Sequence, residues 1–134
     1  MLKGHRVSEL MTRDCPVVAP GMMVMRLVNE QILTSGRRCF PVVQDARILG
    51  LVTMHDIKAI PRDQWSIKAV GEVMTPFSNL KSVGPDEDLT TALKLLTEQN
   101  INQLPVVEGG NIVGMIARDK LLSFISVRGE LGTR

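Results

Sequence analysis

The chain has 134 residues and a formal net charge of +2 from 16 basic and 14 acidic side chains; 44% of residues are hydrophobic and 22% charged. That balance suits one globular module and excludes a disordered chain. Phe40, Phe77, Phe124 and Trp65 are the whole aromatic set and no long basic run occurs, so the core is expected to be aliphatic and nucleic acid is not expected as main partner. No run approaches 18 apolar residues and no signal-type apolar stretch follows Met1, so a cytoplasmic chain without membrane contact is expected. Cys15 and Cys39 lack CxxC spacing, and His5 and His55 add at most two ligands. No metal site is expected, and reduced thiols fit a reducing compartment.

Along the chain, Val7–Thr12 is followed by an extended piece, Pro16–Ala19, closed by a turn at Pro20. Apolar residues then recur at Val24, Leu27, Val28 and Gln31/Ile32, the spacing of an amphipathic helix with one buried stripe. Two apolar strands, Phe40–Val43 and Ile48–Val52, flank the turn Gln44-Asp45-Ala46-Arg47, and a closing helix is expected from about Met54 to Ile60. Pro61–Ser66 is polar and reads as a connector. The same order returns: Leu80–Val83 extended, Pro85, a helix with Leu89, Ala92, Leu93 and Leu96, strands Leu104–Val107 and Ile112–Ile116 around Gly109-Gly110, and a helix from about Arg118 to Val127. A Gly pair suits a tight hairpin. Asp86-Glu87-Asp88 places negative charge where a helix dipole favours it.

The second half repeats the first. Val7-Ser8-Glu9-Leu10-Met11-Thr12 returns as Val70-Gly71-Glu72-Val73-Met74-Thr75, a shift of 63. Phe40–Val43 returns as Leu104–Val107 at 64, Ile48–Val52 as Ile112–Ile116 at 64, and Pro20 as Pro85 at 65. Several matches in one order at nearly one offset indicate duplication. The expected organisation is repeat 1 over residues 7–60, a connector over 61–69 and repeat 2 over 70–127. A repeat this short leaves a sheet face exposed on its own, so the expected fold is α+β, two βαββα-type repeats packed sheet to sheet about a pseudo-two-fold axis.

Gly36-Arg37-Arg38-Cys39-Phe40-Pro41-Val42-Val43 and Gly50-Leu51-Val52-Thr53-Met54-His55-Asp56-Ile57, following the Met-Thr step, strand, proline turn and helix, resemble a CBS domain. The second copy matches through residues 100–107 and 114–121, so the resemblance covers nearly the whole chain. It implies a CBS-domain pair, or Bateman module, with two related clefts between the repeats. It further implies a regulatory adenosine-type ligand (AMP, ADP, ATP or S-adenosylmethionine) and dimerisation. In the family's Gly-h-h-Thr/Ser-x-x-Asp motif, Thr53 offers a hydroxyl to phosphate or ribose and Asp56 accepts from both ribose hydroxyls, a task for an acceptor-only group with two oxygens. The helix starting near Met54 offers backbone N–H groups to an anion. Arg38 stands where the family often places a phosphate ligand, His55 can reach a phosphate, and Leu51 and the chain near Cys15 meet the base. Ile101, Asn102 and the stretch near Asn79 are expected to close the cleft from the other half.

The second copy departs from the motif, with Ala117 and Lys120 where Thr53 and Asp56 stand, and Asp119 one position early. A lysine accepts no hydrogen bond. Arg118 and Lys120 can draw a phosphate, but the second cleft is expected to be degenerate. Thr53-x-x-Asp56 is equally a helix capping box, worth about 1 kcal/mol to the helix with no ligand at all. The functional expectation is a ligand-sensing module that signals through the shape of a homodimer. The alternative is a ligand-free module for dimerisation and docking to an unknown protein partner. No nucleophile with a positioned base is evident, so no enzyme and no catalytic cofactor are expected.

Overall fold

The computed structural model describes residues 2–132. In chain order, a 3-10 turn at Val7–Glu9 precedes a helical run made of α1 (Val24–Leu27), a π-helical turn (Val28–Ile32) and α2 (Leu33–Ser35). Next come β1 (Cys39–Gln44), β2 (Arg47–Thr53), α3 (Met54–Lys58), a 3-10 turn (Arg62–Gln64), α4 (Val70–Val73), β3 (Thr75–Pro76) and a 3-10 turn (Phe77–Asn79). The second copy supplies α5 (Leu89–Glu98), β4 (Gln103–Glu108), β5 (Asn111–Ala117) and α6 (Arg118–Glu130). The helix closing the first copy ends at Lys58, short of the expected Ile60, and its counterpart α6 runs past Val127 to Glu130.

The fold is mixed helix and strand, in two compact units offset from the sequence repeats. One unit is Cys15–Leu80; the other joins the residues up to Asp14 with those from Lys81 onward. Each repeat therefore contributes its leading Val-x-Glu-φ-Met-Thr segment to the unit built by the other. In the first unit Val70 N–H donates to the Met22 carbonyl at 2.7 Å, Gly71 N–H to Pro20 at 2.9 Å, and Val24 N–H to Lys68 at 2.9 Å. In the second, Val7 N–H donates to Glu87 at 2.8 Å, Ser8 N–H to Pro85 at 2.9 Å, and Leu89 N–H to His5 at 2.8 Å. The cores match the same way. Val18, Val24, Leu27, Phe40, Val42, Val52, Ile57 and Val70 are buried in the first, and Val83, Leu89, Ala92, Leu104, Val106, Ile116, Leu121 and Val7 in the second. No polar side chain is buried among the described residues, and each fully buried aliphatic side chain contributes about 1.5–3 kcal/mol. The connector is not loose chain, because Trp65 and Lys68 carbonyls accept the Met25 and Val24 N–H groups at the start of α1.

The hairpins obey their turns. Asp45 and Ala46 have φ of 52° and 66°, Gly109 and Gly110 of 61° and 83°, so both central residues of each two-residue loop lie at positive φ, as a type I′ turn demands. Both hairpins carry a register shift at the same place, Val42/Val43 and Val106/Val107. Pro41 sits within β1 without cost to the ladder because the strand's outer side meets only Val18, which donates to the Pro41 carbonyl at 2.9 Å and accepts from Val43.

The helical run before β1 contains one residue more than its counterpart. Val24 corresponds to Leu89 at 65 positions, but left-handed Gly36 (φ 71°) corresponds to left-handed Asn100 (φ 52°) at 64. The surplus residue is absorbed in the π-helical turn Val28–Ile32, the usual fate of a single insertion in a helix. The buried stripe is thereby kept, with Ile32 and Leu96 in equivalent core places.

The exchanged segments fix two glycines. Thr75 and Pro76 pair antiparallel with Leu51 and Gly50 in a three-stranded sheet of order β1-β2-β3. Thr12 exchanges both backbone hydrogen bonds with Met115, at 2.7 and 2.9 Å. A Cβ on Gly50 would lie 2.2 Å from the Thr75 carbonyl oxygen and 3.0 Å from Met74 Sδ; on Gly114 it would lie 2.8 Å from the Thr12 oxygen and 3.0 Å from Met11 Sδ. Urea denaturation is expected to show Gly50→Ala destabilised by about 3 kcal/mol and Gly114→Ala by about 1–2 kcal/mol, in that order. Ala46→Gly relieves a left-handed alanine, so it should gain about 1 kcal/mol and raise Tm by about 3 °C.

Asp88 caps α5: its Oδ1 accepts the Thr90 N–H at 2.8 Å and Thr90 hydroxyl at 2.7 Å, and its Oδ2 accepts the Gly4 N–H at 2.8 Å. The Thr90 backbone bond, then the Gly4 bond, then the Thr90 hydroxyl hold its carboxyl down to about 2, from an ordinary 3.8. A depressed carboxyl contributes stability above its unfolded value that is lost as pH falls through its folded one. An acid titration of stability should therefore show a loss between about pH 4 and pH 2 that is absent in Asp88→Asn.

Candidate functional site

The candidate site lies where β2 turns into α3 in the Cys15–Leu80 unit. Thr53 ends β2 in extended conformation (φ −117°, ψ 164°) and is the N-cap of α3. Its Oγ1 accepts the Asp56 N–H at 3.2 Å, while Asp56 Oδ2 accepts the Thr53 N–H at 2.9 Å and the Thr53 hydroxyl at 3.0 Å. The capping box is thus formed, with both partners half-buried. Asp56 Oδ1 is left with one long contact, 3.5 Å to the Thr75 hydroxyl. Since an ionised carboxylate offers about four lone-pair sites, Asp56 is held rigid by one oxygen and keeps acceptor capacity on the other.

Cys39 starts β1 directly across from Thr53 in the ladder. Burial, then the Asp56 carboxylate, then Cys15 push its thiol up to about 12. Cys39 is a protonated, unreactive thiol at neutral pH. Thr75 reaches the site because β3 pairs with β2 opposite Leu51. Sequence reasoning did not single out Thr75; its signal was the repeated Met-Thr step at Thr12 and Thr75, which marks a paired strand and not merely a family signature.

Other expected contacts fall as follows. Arg38 and His55 are exposed on either side of the Met54 N–H, which donates to the Arg38 carbonyl at 2.8 Å. That bond and the Thr53 cap occupy the Met54 and Asp56 N–H groups, so the helix start does not present them to an anion as the sequence suggested. Leu51 is buried at 3% exposure and not open to a base. Asn79, expected from the other half, lies in the Phe77–Asn79 turn of the same unit as Asp56, because the segment after α4 is exchanged onto β2. Ile101 and Asn102 belong to the other unit; the Asn102 carbonyl accepts the Arg118 N–H at 2.8 Å, as Arg38 accepts from Met54.

In that other unit Ala117 is the N-cap of α6 and makes no side-chain cap bond, while the Lys120 N–H donates to Asp119 Oδ1 at 2.9 Å. Lys120 is exposed and places a cation where the first copy has an anion. The first copy therefore holds an acceptor pair and the second does not. Among the described residues no group of three or more His, Cys, Asp and Glu is placed to hold a metal ion, and no helix is long and apolar enough to cross a membrane.

Comparisons with known proteins bear on the family and the fold. The chain is 24% identical over 90% of its length to a protein of Synechocystis sp. that carries the name of a zinc metalloprotease, sll0528, 33% of which it covers. It spans about a third to two fifths of the length of such curated relatives. Among solved structures, CBSX2 in complex with AMP shares 26% identity at a TM-score of 0.80, over 93% of this chain and 99% of that one. The CBS domain pair of protein MJ0100, in complex with 5'-methylthioadenosine and S-adenosyl-L-methionine, shares 20% identity at a TM-score of 0.77, over 92% and 97%. The CBS domain family model matches residues 7–62 and 70–127, so the chain belongs to the CBS domain family as a tandem pair.

Proposed function

We propose that this chain is a cytoplasmic, non-catalytic regulatory module that takes one adenosine-type ligand at Thr53 and Asp56 and signals through the shape of a homodimer. The observation that carries the reading is the Asp56 carboxylate, fixed by Thr53 through one oxygen and left with acceptor capacity on the other. A sugar with two vicinal hydroxyls suits such a group, and AMP and S-adenosyl-L-methionine in the two solved relatives are ligands of that class. The exposed Arg38 beside the α3 start adds a cation suited to a phosphate, and the exposed His55 a ring nitrogen able to hydrogen-bond. Ala117 and Lys120 offer no acceptor in the second copy, which supports one ligand per chain. Differential affinity for two shapes is all the switch requires.

Thermal melts with AMP, ADP, ATP and S-adenosylmethionine test this. At ligand about 100 times Kd the stabilisation is about 2.7 kcal/mol, several degrees in Tm. Asp56→Ala should remove the shift while lowering stability by about 1 kcal/mol through the lost box. Asp56→Asn, which keeps an acceptor for the Thr53 N–H but no charge, should stay folded and respond weakly. A melt that none of the four compounds moves at millimolar concentration would replace this reading with ligand-free dimerisation and docking.

A further inference from the structure

The two exchanged segments are held by the same backbone bonds but not by the same side chains. In each, a glutamate closes the turn: Glu9 Oε2 accepts the Arg6 N–H at 2.7 Å, and Glu72 Oε2 the Ala69 N–H at 2.8 Å. The position five residues into the chain differs. Where the internal segment has Lys68, the leading one has His5. His5 Nδ1 lies 3.1 Å from Glu9 Oε1, and its ring meets Phe124 of α6 edge to face, with centroids 5.4 Å apart at 73°. The imidazole is only partly exposed, at 27%. The charged groups of this corner are Glu9 and Arg6 on the segment itself, Asp88 at the start of α5, and Arg128 of α6, whose guanidinium lies 5.2 Å from the Phe124 centroid. Arg6 is turned toward Asp86, 3.6 Å away.

We propose that His5 is a proton-operated lock on this segment. The imidazolium bonds Glu9 and faces Asp88, which itself accepts the Gly4 N–H, so the charged ring joins the segment to the α5 cap and to α6. Removing the proton removes the charge from the Glu9 pair, leaving a weaker neutral hydrogen bond through the Nδ1–H tautomer and the ring contact with Phe124. The segment carries Val7 into the core of the unit and Thr12 onto β5, so its loosening acts on the unit that holds the second copy's hairpin. The internal segment, with Lys68 at the same place, has no group that changes charge near neutrality.

Amide hydrogen exchange by NMR tests this in the intact chain, since the internal segment is a built-in reference. Protection of Val7, Ser8 and Leu89 is compared with that of Val70, Gly71 and Val24 from about pH 5.5 to about pH 8, where an ordinary imidazole changes charge, after correction for intrinsic exchange. The ratio should fall about twofold as pH rises, the size of an exposed i,i+4 ion pair. The fall should vanish in His5→Gln, and in His5→Phe, which keeps an aromatic ring against Phe124. A ratio that is flat with pH, or a fall that persists in both variants, overturns the proposal.

Discussion

A strand that receives another segment across its edge can carry no side chain where the two backbones close. In this chain that constraint falls on Gly50 and Gly114, each against a threonine carbonyl from the leading segment of the other repeat. The contact lets Thr75 and Thr12 complete the ladders of β2 and β5, and it seats Val70 and Val7 in cores that their own repeats do not build. Neither repeat as read along the sequence contains its whole core. The duplicated fold is therefore a single folding problem, in which the Cys15–Leu80 unit is contiguous and the other draws on both ends of the described chain.

The same crossing shapes the site. Asp56 is positioned locally by Thr53, three residues before it, but its second oxygen faces Thr75, which arrives only through β3. Capping and ligand capture are not competing accounts of this carboxylate. The box uses Oδ2 and so immobilises the group, which lowers the ordering cost of any hydrogen bond that Oδ1 makes. In the second copy the helix forms on Ala117 without the box and extends further, to Glu130. The box is thus dispensable to the fold, and its retention in the first copy coincides with the only Thr–Asp acceptor pair at such a turn among the described residues.

Much of this was legible in the sequence because its causes are local or periodic. Strand and hairpin positions followed from short apolar runs flanking turn residues, the helices from the 3.6-residue stripe, and the duplication from matched motifs. Which unit each piece joins was not legible, because repeat matching finds common ancestry and not contact; Asn79 belongs to the second repeat by sequence but to the Cys15–Leu80 unit by contact. The π-helical turn was present in the numbers as a drop in offset from 65 at Pro20/Pro85 to 64 at Phe40/Leu104. A one-residue surplus between two fixed points can sit in a loop as easily as in a helix, and only the buried stripe, from Val28 to Ile32, decides between them. Nor was it legible that the Met54 N–H at the helix start goes to the Arg38 carbonyl, a bond between elements that no local pattern encodes.

Because both exchanged segments are secured by main-chain bonds, their side chains are free to differ without cost to the fold. Asp56 against Lys120 reverses the charge between the copies, and Asp88 against Met23 and His5 against Lys68 also change the ionisable group; each lies at a helix start or on the segment packed beside one. Helix starts are where fixed backbone dipoles and unpaired N–H groups make a side-chain charge count. Divergence there changes what each unit binds or how firmly it is held, while the glycines, hairpin turns and aliphatic positions that both copies share keep the architecture. The two copies share their hairpins and exchanged-segment bonds and differ in their electrostatics, which is the arrangement a two-part module needs if one half is to respond to a condition that the other ignores.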